Sequence, residues 1–134
     1  MTPPSTRSVR PRWIFYAVIT GLLVVHAWIA LASSRHKSTT NDEIAHITGG
    51  YAFNTYGDFR IQPENGVLPQ RWHALPLAWM EPEFPDLNAP PWQQVLAYQV
   101  SYNFFYRTGN DPDALLFAGR AMNVWWGLAT LLLI

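Results

Sequence analysis

The chain has 134 residues and no cysteine, and its nine Lys and Arg balance nine Asp and Glu to a net charge of zero. Disulfides are therefore excluded, and there is no electrostatic case for nucleic-acid binding. Charged residues make up 13 % and aromatics 15 %, with seven tryptophans. That charged share is about half the roughly 25 % of a globular domain, and Trp and Tyr favour the headgroup zone of a bilayer.

Residues 1–12 (MTPPSTRSVRPR) are basic and rich in Pro, Ser and Thr, which predicts a disordered tail. Residues 13–32 (WIFYAVITGLLVVHAWIALA) hold no Asp, Glu, Lys or Arg. About 20 apolar residues suffice to cross a bilayer, so this run is expected to be a transmembrane helix. Arg7, Arg10 and Arg12 flank it and put the N-terminus on the cytoplasmic side; Arg35 and Lys37 on the far flank argue the other way. Long loops translocate largely regardless of charge, which places residues 33–113 outside. A cleaved signal peptide is the competing reading, because Ala30-Leu31-Ala32 has the small-residue form of a cleavage site. The apolar run exceeds the usual 7–15 residues of such a peptide.

In the loop, Asn41 is the expected N-cap of a helix in which Ile44, Ile47 and Tyr51 recur at helical spacing. Gly49-Gly50 weaken that helix and Gly57 ends it. Turn signals follow at Pro63, Asn65-Gly66 and Pro69. RWHALPLAWM is expected to form one or two turns on the membrane, EPEFPDLNAPPW to be irregular, and residues 92–107 to form one interfacial helix. Asp111 or Asp113 caps a second apolar run, residues 114–134. After Arg120 only fourteen residues remain, a rise of roughly 21 Å against a hydrocarbon core of ~30 Å. The reading is a larger polytopic protein cut in its second span; the alternative is a complete two-span protein with Arg120 snorkelling inside the membrane. The fold class is all-α membrane protein.

Four groups of side chains carry candidate chemistry. Asp42-Glu43 at a helix start are suitable capping charges, but His46 lies four residues past Asp42 and three past Glu43, so all three share one helical surface. A carboxylate near His can act as a base, and Glu-x-x-His spacing can bind a metal. Asp58, Arg60 and Glu64 read as a solvated loop unless Glu64 folds back towards Asp42. Arg60, Arg71 and Arg120 are the cations positioned to meet a phosphate, and Arg120 stands out because a charge in a membrane helix is costly. His26 in the first span reads as a hydrogen-bonding residue between helices. Trp72, Trp79, Trp92, Tyr98, Tyr102, Phe104, Phe105 and Tyr106 read most simply as a belt at the bilayer surface, with the lining of a sugar or prenyl groove as the alternative.

Taken together, the first span, TTNDEIAHITGGYAFNTYGDFRIQPENGVLPQRWHALPL and TGNDPDALLFAGRAMNVWWGL resemble the glycosyltransferase-C superfamily. The nearest resemblance is to protein O-mannosyltransferase-like and lipid A aminoarabinose transferase-like enzymes, from about Trp13 to Ile134. It implies the N-terminal part of a polytopic enzyme of a plasma or bacterial inner membrane, moving a sugar from a polyprenyl-phosphate donor to an acceptor hydroxyl. By this resemblance Asp42 is the catalytic base and Glu43 its acidic neighbour, while His46 matches a histidine often found at that spacing. Glu64 matches a carboxylate that in some members helps bind a divalent metal. Arg120, with Arg60 or Arg71, would neutralise the leaving phosphate. The chain departs from the family where Ile44 replaces Pro and where Asn65-Gly66-Val67-Leu68 replaces His-Pro-Pro-Leu. Two other classes stand beside it: a non-catalytic membrane subunit whose loop binds carbohydrate or a partner, and a small secreted binding protein with a mature start near Ser33.

Overall fold

A computed structural model describes residues 12–133. The expected disordered tail, with Arg7 and Arg10, lies outside the described residues except for Arg12, as does Ile134. All regular structure in the described residues is helical: α1 (Arg12–Ser34), α2 (Asn41–Tyr56), a 3-10 turn (Pro63–Asn65), α3 (Val67–Ala74), α4 (Leu77–Met80), α5 (Pro90–Gln93), α6 (Ala97–Tyr106) and α7 (Pro112–Leu133). Helices α1 and α7 are long and apolar enough to cross a membrane. At ~1.5 Å per residue, the 23 residues of α1 reach roughly 34 Å.

The two long helices run antiparallel. Ser34 meets Arg120, while deeper along α1 the space beside His26 is left by Gly127, where a Cβ would come within 2.9 Å of the imidazole. The half-buried stripe Ile19, Leu23, Ala27, Ala30, Leu31 and Ser34 recurs every three to four residues along α1. The rest of α1 exposes large apolar side chains, among them Trp13, Phe15, Leu22 and Trp28.

The first turns of α7 belong to a packed outer layer instead. Leu115 and Leu116 join Ile44, Ile47 and Tyr51 of α2, Leu77 of α4, and Phe104 and Phe105 of α6 in one core. Tyr51 stacks on Phe104 with centroids 5.3 Å apart. The expected aromatic belt is therefore only partly a surface feature. Phe104 and Phe105 are fully buried because α2 and α7 cover the inner face of α6, and Trp92 of α5 is nearly so, packed with Ala52, Ile61 and Val100. Gly49 and Gly50 turn out to be packing residues: a Cβ at Gly50 would sit 2.0 Å from the Gln70 carbonyl oxygen, so α2 and α3 touch backbone to backbone.

Three local expectations are corrected. The N-cap of α2 is Thr40, not Asn41. The single helix expected over residues 92–107 is split into α5 and α6, with Val95 at φ 56 between them. The Pro-rich segment before α5 is irregular yet anchored: Phe84 packs on Tyr51, Tyr56, Trp92 and Phe104, and Asn110 exchanges hydrogen bonds with the Glu83 backbone at 2.9 Å. Gly57 does stop α2, at φ 70, and Asp111 does cap α7 by accepting from the N–H groups of Asp113 and Ala114.

Candidate functional site

The site begins with a helix cap. Thr40 is extended, and its Oγ1 accepts the Glu43 N–H at 3.3 Å, which sets Asn41, Asp42 and Glu43 as the first turn of α2. Negative charge is favoured there by the exposed N–H groups of the helix start. The two carboxylates then diverge. Asp42 stays exposed and accepts a 3.0 Å hydrogen bond on Oδ1 from the Tyr98 hydroxyl, 56 residues away on α6. Glu43 turns towards α7.

Arg120 receives Glu43 in a two-pronged pair, Nε to Oε1 at 2.6 Å and Nη2 to Oε2 at 2.7 Å. Its other three N–H groups go to backbone carbonyls of the α1–α2 link: Ser34 at 2.7 Å, Lys37 at 2.9 Å and Ser38 at 3.1 Å. A guanidinium has five donors, and here all five are used. A charge on an apolar helix is thereby satisfied without a ligand. Arg120, expected to meet a phosphate, acts in this geometry as the clasp that joins α1, the link and α2 to α7.

Beside the clasp lies a cavity of about 570 Å³ between α1, α2, α3 and α7. Asp42 and Glu43 line it together with Thr40 and Ser38. Lys37, His46 and His73 line it too, with Asn123 of α7 paired to the His73 Nε2. Ala30, Ile47 and Val124 supply apolar wall, and His26 is the lining residue of α1 farthest from the α1–α2 link. Gly119 lets α7 approach α2 closely along this wall, since a Cβ there would meet Ile47 Cδ1 at 2.7 Å. Helix α3 is held against this wall by the Trp72 Nε1–H, which donates to the Met122 carbonyl at 2.9 Å.

The cavity thus gathers Asp42, Glu43, His46 and Arg120 of the expected site, and leaves out Arg60, Arg71 and Glu64. Arg60 pairs with Asp58 at 2.7 Å and lies over the Trp92 ring. Burial alone would raise the Asp58 carboxyl, but the hydrogen bonds and charge of Arg60 outweigh it and hold that group below its ordinary value. Arg71 donates to the Asn54 Oδ1 at 2.8 Å and covers Phe53. Glu64 stands on the 3-10 turn, near enough to Tyr98 for its charge to help raise that hydroxyl. Glu43 is consumed by Arg120, and among the described residues no three His, Asp or Glu side chains gather as ligands.

Lys37, His73, Tyr98 and Asn123 were not singled out for this site by sequence. Tyr98 and Asn123 carry no local signal, because each meets its partner across at least 50 residues of chain. His73 stands in the RWHALPLAWM stretch, read from sequence only as one or two turns on the membrane. Compared with protein-family models, curated proteins and solved structures, the chain matches none.

Proposed function

We propose that this chain carries the acid-pair unit of an integral membrane glycosyltransferase, which moves a sugar from a polyprenyl-phosphate donor to a hydroxyl with Asp42 as general base. One observation carries the reading. Asp42 is an exposed residue in the lining of a cavity walled in part by two helices of bilayer length, while its neighbour Glu43 is locked onto Arg120. A donor whose prenyl chain stays in lipid would bring its sugar to that height. The matching orientation has the N-terminus in the cytoplasm and residues 33–113 outside.

In an inverting transfer the acceptor oxygen attacks the anomeric carbon and its proton passes to Asp42. The bond from that carbon to the phosphate oxygen breaks, and the phosphate leaves with the electron pair. Tyr98 holds Oδ1 of Asp42, so Oδ2 is the oxygen left for the proton. Arg120 is a positioning residue: it fixes the turn that presents Asp42. A carbohydrate- or partner-binding subunit is the second reading, favoured by the exposed Trp79 and Tyr102.

The test is sugar transfer from a labelled polyprenyl-phosphate donor in membranes bearing the full-length protein. Asp42→Asn is expected to lower the rate by about 10²–10⁴-fold, the usual share of a general base, with the outer loop still protected as in wild type. An unchanged rate removes Asp42 from the chemistry and favours the binding subunit.

A further inference from the structure

We infer that α3 and α4 together form an in-plane membrane anchor, whose stripe of Leu68, Trp72, Leu75 and Trp79 rests where the headgroups of a bilayer meet its acyl chains. The inference rests on α1 and α7 spanning that bilayer and is independent of the transferase reading.

The argument starts from the backbone. Between α3 and α4, Leu75 and Pro76 keep right-handed helical dihedrals, so residues 67–80 run on as one bent helical stretch. At ~100° per residue, Leu68, Pro69, Trp72, Leu75, Pro76 and Trp79 fall within an arc of roughly 120°. Gln70, Ala74 and Leu77 point the other way and are buried in the outer layer. The stretch is therefore apolar on the face that it leaves unburied. Leu68 is 68 % exposed there, Leu75 37 % and Trp79 81 %. No charged residue falls within the arc. Arg71 and His73 flank it, and each is engaged by a partner, Asn54 and Asn123 respectively.

What covers the stripe follows from what it adjoins. Trp72 donates its indole N–H to the Met122 carbonyl at 2.9 Å, and its ring meets Trp126 with centroids 5.5 Å apart. The stripe thus continues onto α7, where Trp125 and Trp126 are themselves exposed. The same contacts give its height. Arg120 donates to the Ser34 carbonyl at the end of α1. Met122 and Trp126 lie two and six residues further along α7, roughly 3 Å and 9 Å inside that level at ~1.5 Å per residue. Helices lying in the plane of a membrane seat their apolar face about 5–10 Å into the boundary of headgroups and chains. Trp72 has its only side-chain donor satisfied and turns no unmet polar group to lipid. Trp79, the most exposed of the stripe, has the ring type that collects at the headgroup edge. The sequence puts residues 71–80 on the membrane without a face or a depth; packing on α2 and α7 supplies both.

The chain has no native cysteine, so a single introduced thiol reports one position. Leu75→Cys and Trp79→Cys are spin-labelled in the full chain in phosphatidylcholine nanodiscs, beside two references. These are Leu22→Cys on the exposed side of α1 and Asp113→Cys in the first turn of α7. Collisions are read with oxygen, which concentrates among acyl chains, and with a water-soluble nickel chelate. The oxygen-to-nickel ratio at Leu75 and Trp79 is expected to be several-fold above that at Asp113 and below that at Leu22, matching a depth of about 5–10 Å. Nickel-dominated collisions at both stripe positions would put the stripe in water and overturn the anchor in favour of a carbohydrate- or partner-binding face. Shielding of both from oxygen and nickel alike would mean that a second copy or further chain covers the stripe, and would overturn the bilayer as its occupant. Nickel access at Leu22 would remove the span and the anchor together. Should a cysteine variant fail to fold, Trp79→Phe gives a second measurement. Lipids brominated high on the acyl chain are expected to quench less tryptophan emission in that variant than in wild type, and equal quenching overturns the seat of Trp79.

Discussion

Helices α1 and α2 are built from similar apolar side chains and put them to different use. In α2, Ile44, Ile47, Thr48, Tyr51 and both glycines are buried against other helices; in α1 no residue is buried. The difference lies in what surrounds them. Every residue of α2 from Ile47 to Ala52 is buried, because α3, α6 and α7 pack around it on several sides and give its side chains defined neighbours. Those of α1 surround the helix, and only the stripe from Ile19 to Ser34 finds protein. A helix apolar on all sides specifies its surroundings more than its partners. Length and apolarity thus say where α1 goes, whereas exact side-chain size says what α2 touches.

The sharpest way to break this comparison is a pair of glycine substitutions. Gly50→Ala forces a methyl into the Gln70 carbonyl and is expected to cost about 3 kcal/mol or more, a severe case of overpacking. Gly21→Ala on α1 meets nothing within 4 Å and is expected to stay within about 0.5 kcal/mol of wild type. Thermal unfolding with protease protection of the loop measures both. Equal effects would mean that the outer layer is no more tightly specified than the hairpin.

A smaller effect is expected at the seam between the two regions. Arg120→Ala leaves the Glu43 carboxylate and three carbonyls unmet, at about 2–3 kcal/mol. Arg120→Lys should recover only part, since an ammonium cannot serve five acceptors in a plane. Amide exchange is expected to quicken over residues 35–43 while Phe104 and Phe105 stay protected. Loosening of the core instead would show that the clasp supports the whole layer.

The smallest effect is at Tyr98, whose hydroxyl pKa is raised above 10.0 by its hydrogen bond to Asp42, then by the Asp42 charge, burial and Glu64. A raised folded-state value means that the contribution is present below the ordinary pKa and disappears as pH climbs through the folded one. Phenolate absorbance should therefore show late-titrating tyrosine that Tyr98→Phe removes in part, Tyr56 being raised as well by burial and by Tyr51 and Glu83. Asp42→Asn should bring Tyr98 back towards its ordinary value. If Asp42→Asn leaves the late phase as it is in wild type, the Tyr98–Asp42 contact does not form.

Much of this architecture is legible in the amino-acid order, and the exceptions have physical reasons. The first span reads to within two residues because composition alone defines it: 13–32 expected, Arg12–Ser34 found. Gly57 and Asp111 read correctly because stop and cap chemistry is local. Thr40 and Asn41 are both good caps, and only the spacing Thr-x-x-Glu to Glu43 separates them. Even so, the Glu43 side chain does not return to the cap but leaves for Arg120. Arg120 was conspicuous as a charge on an apolar helix; what satisfies it lies more than 70 residues upstream and has no local signature. Which aromatics of α6 turn inward depends on α2 and α7, so Phe104 and Phe105 could not be told from Tyr102 and Tyr106 by type. The same reason hid Phe84, a single ring in a Pro-rich stretch that four others surround.

Three of the five acceptors of Arg120 are main-chain oxygens, of Ser34, Lys37 and Ser38. Main-chain oxygens are indifferent to which side chain they carry, so drift in residue type along this short connector leaves the fastening whole. Its length is another matter. One residue gained or lost between positions 34 and 38 would shift the oxygens out of the plane of the guanidinium, so related chains should keep the count here more strictly than the letters.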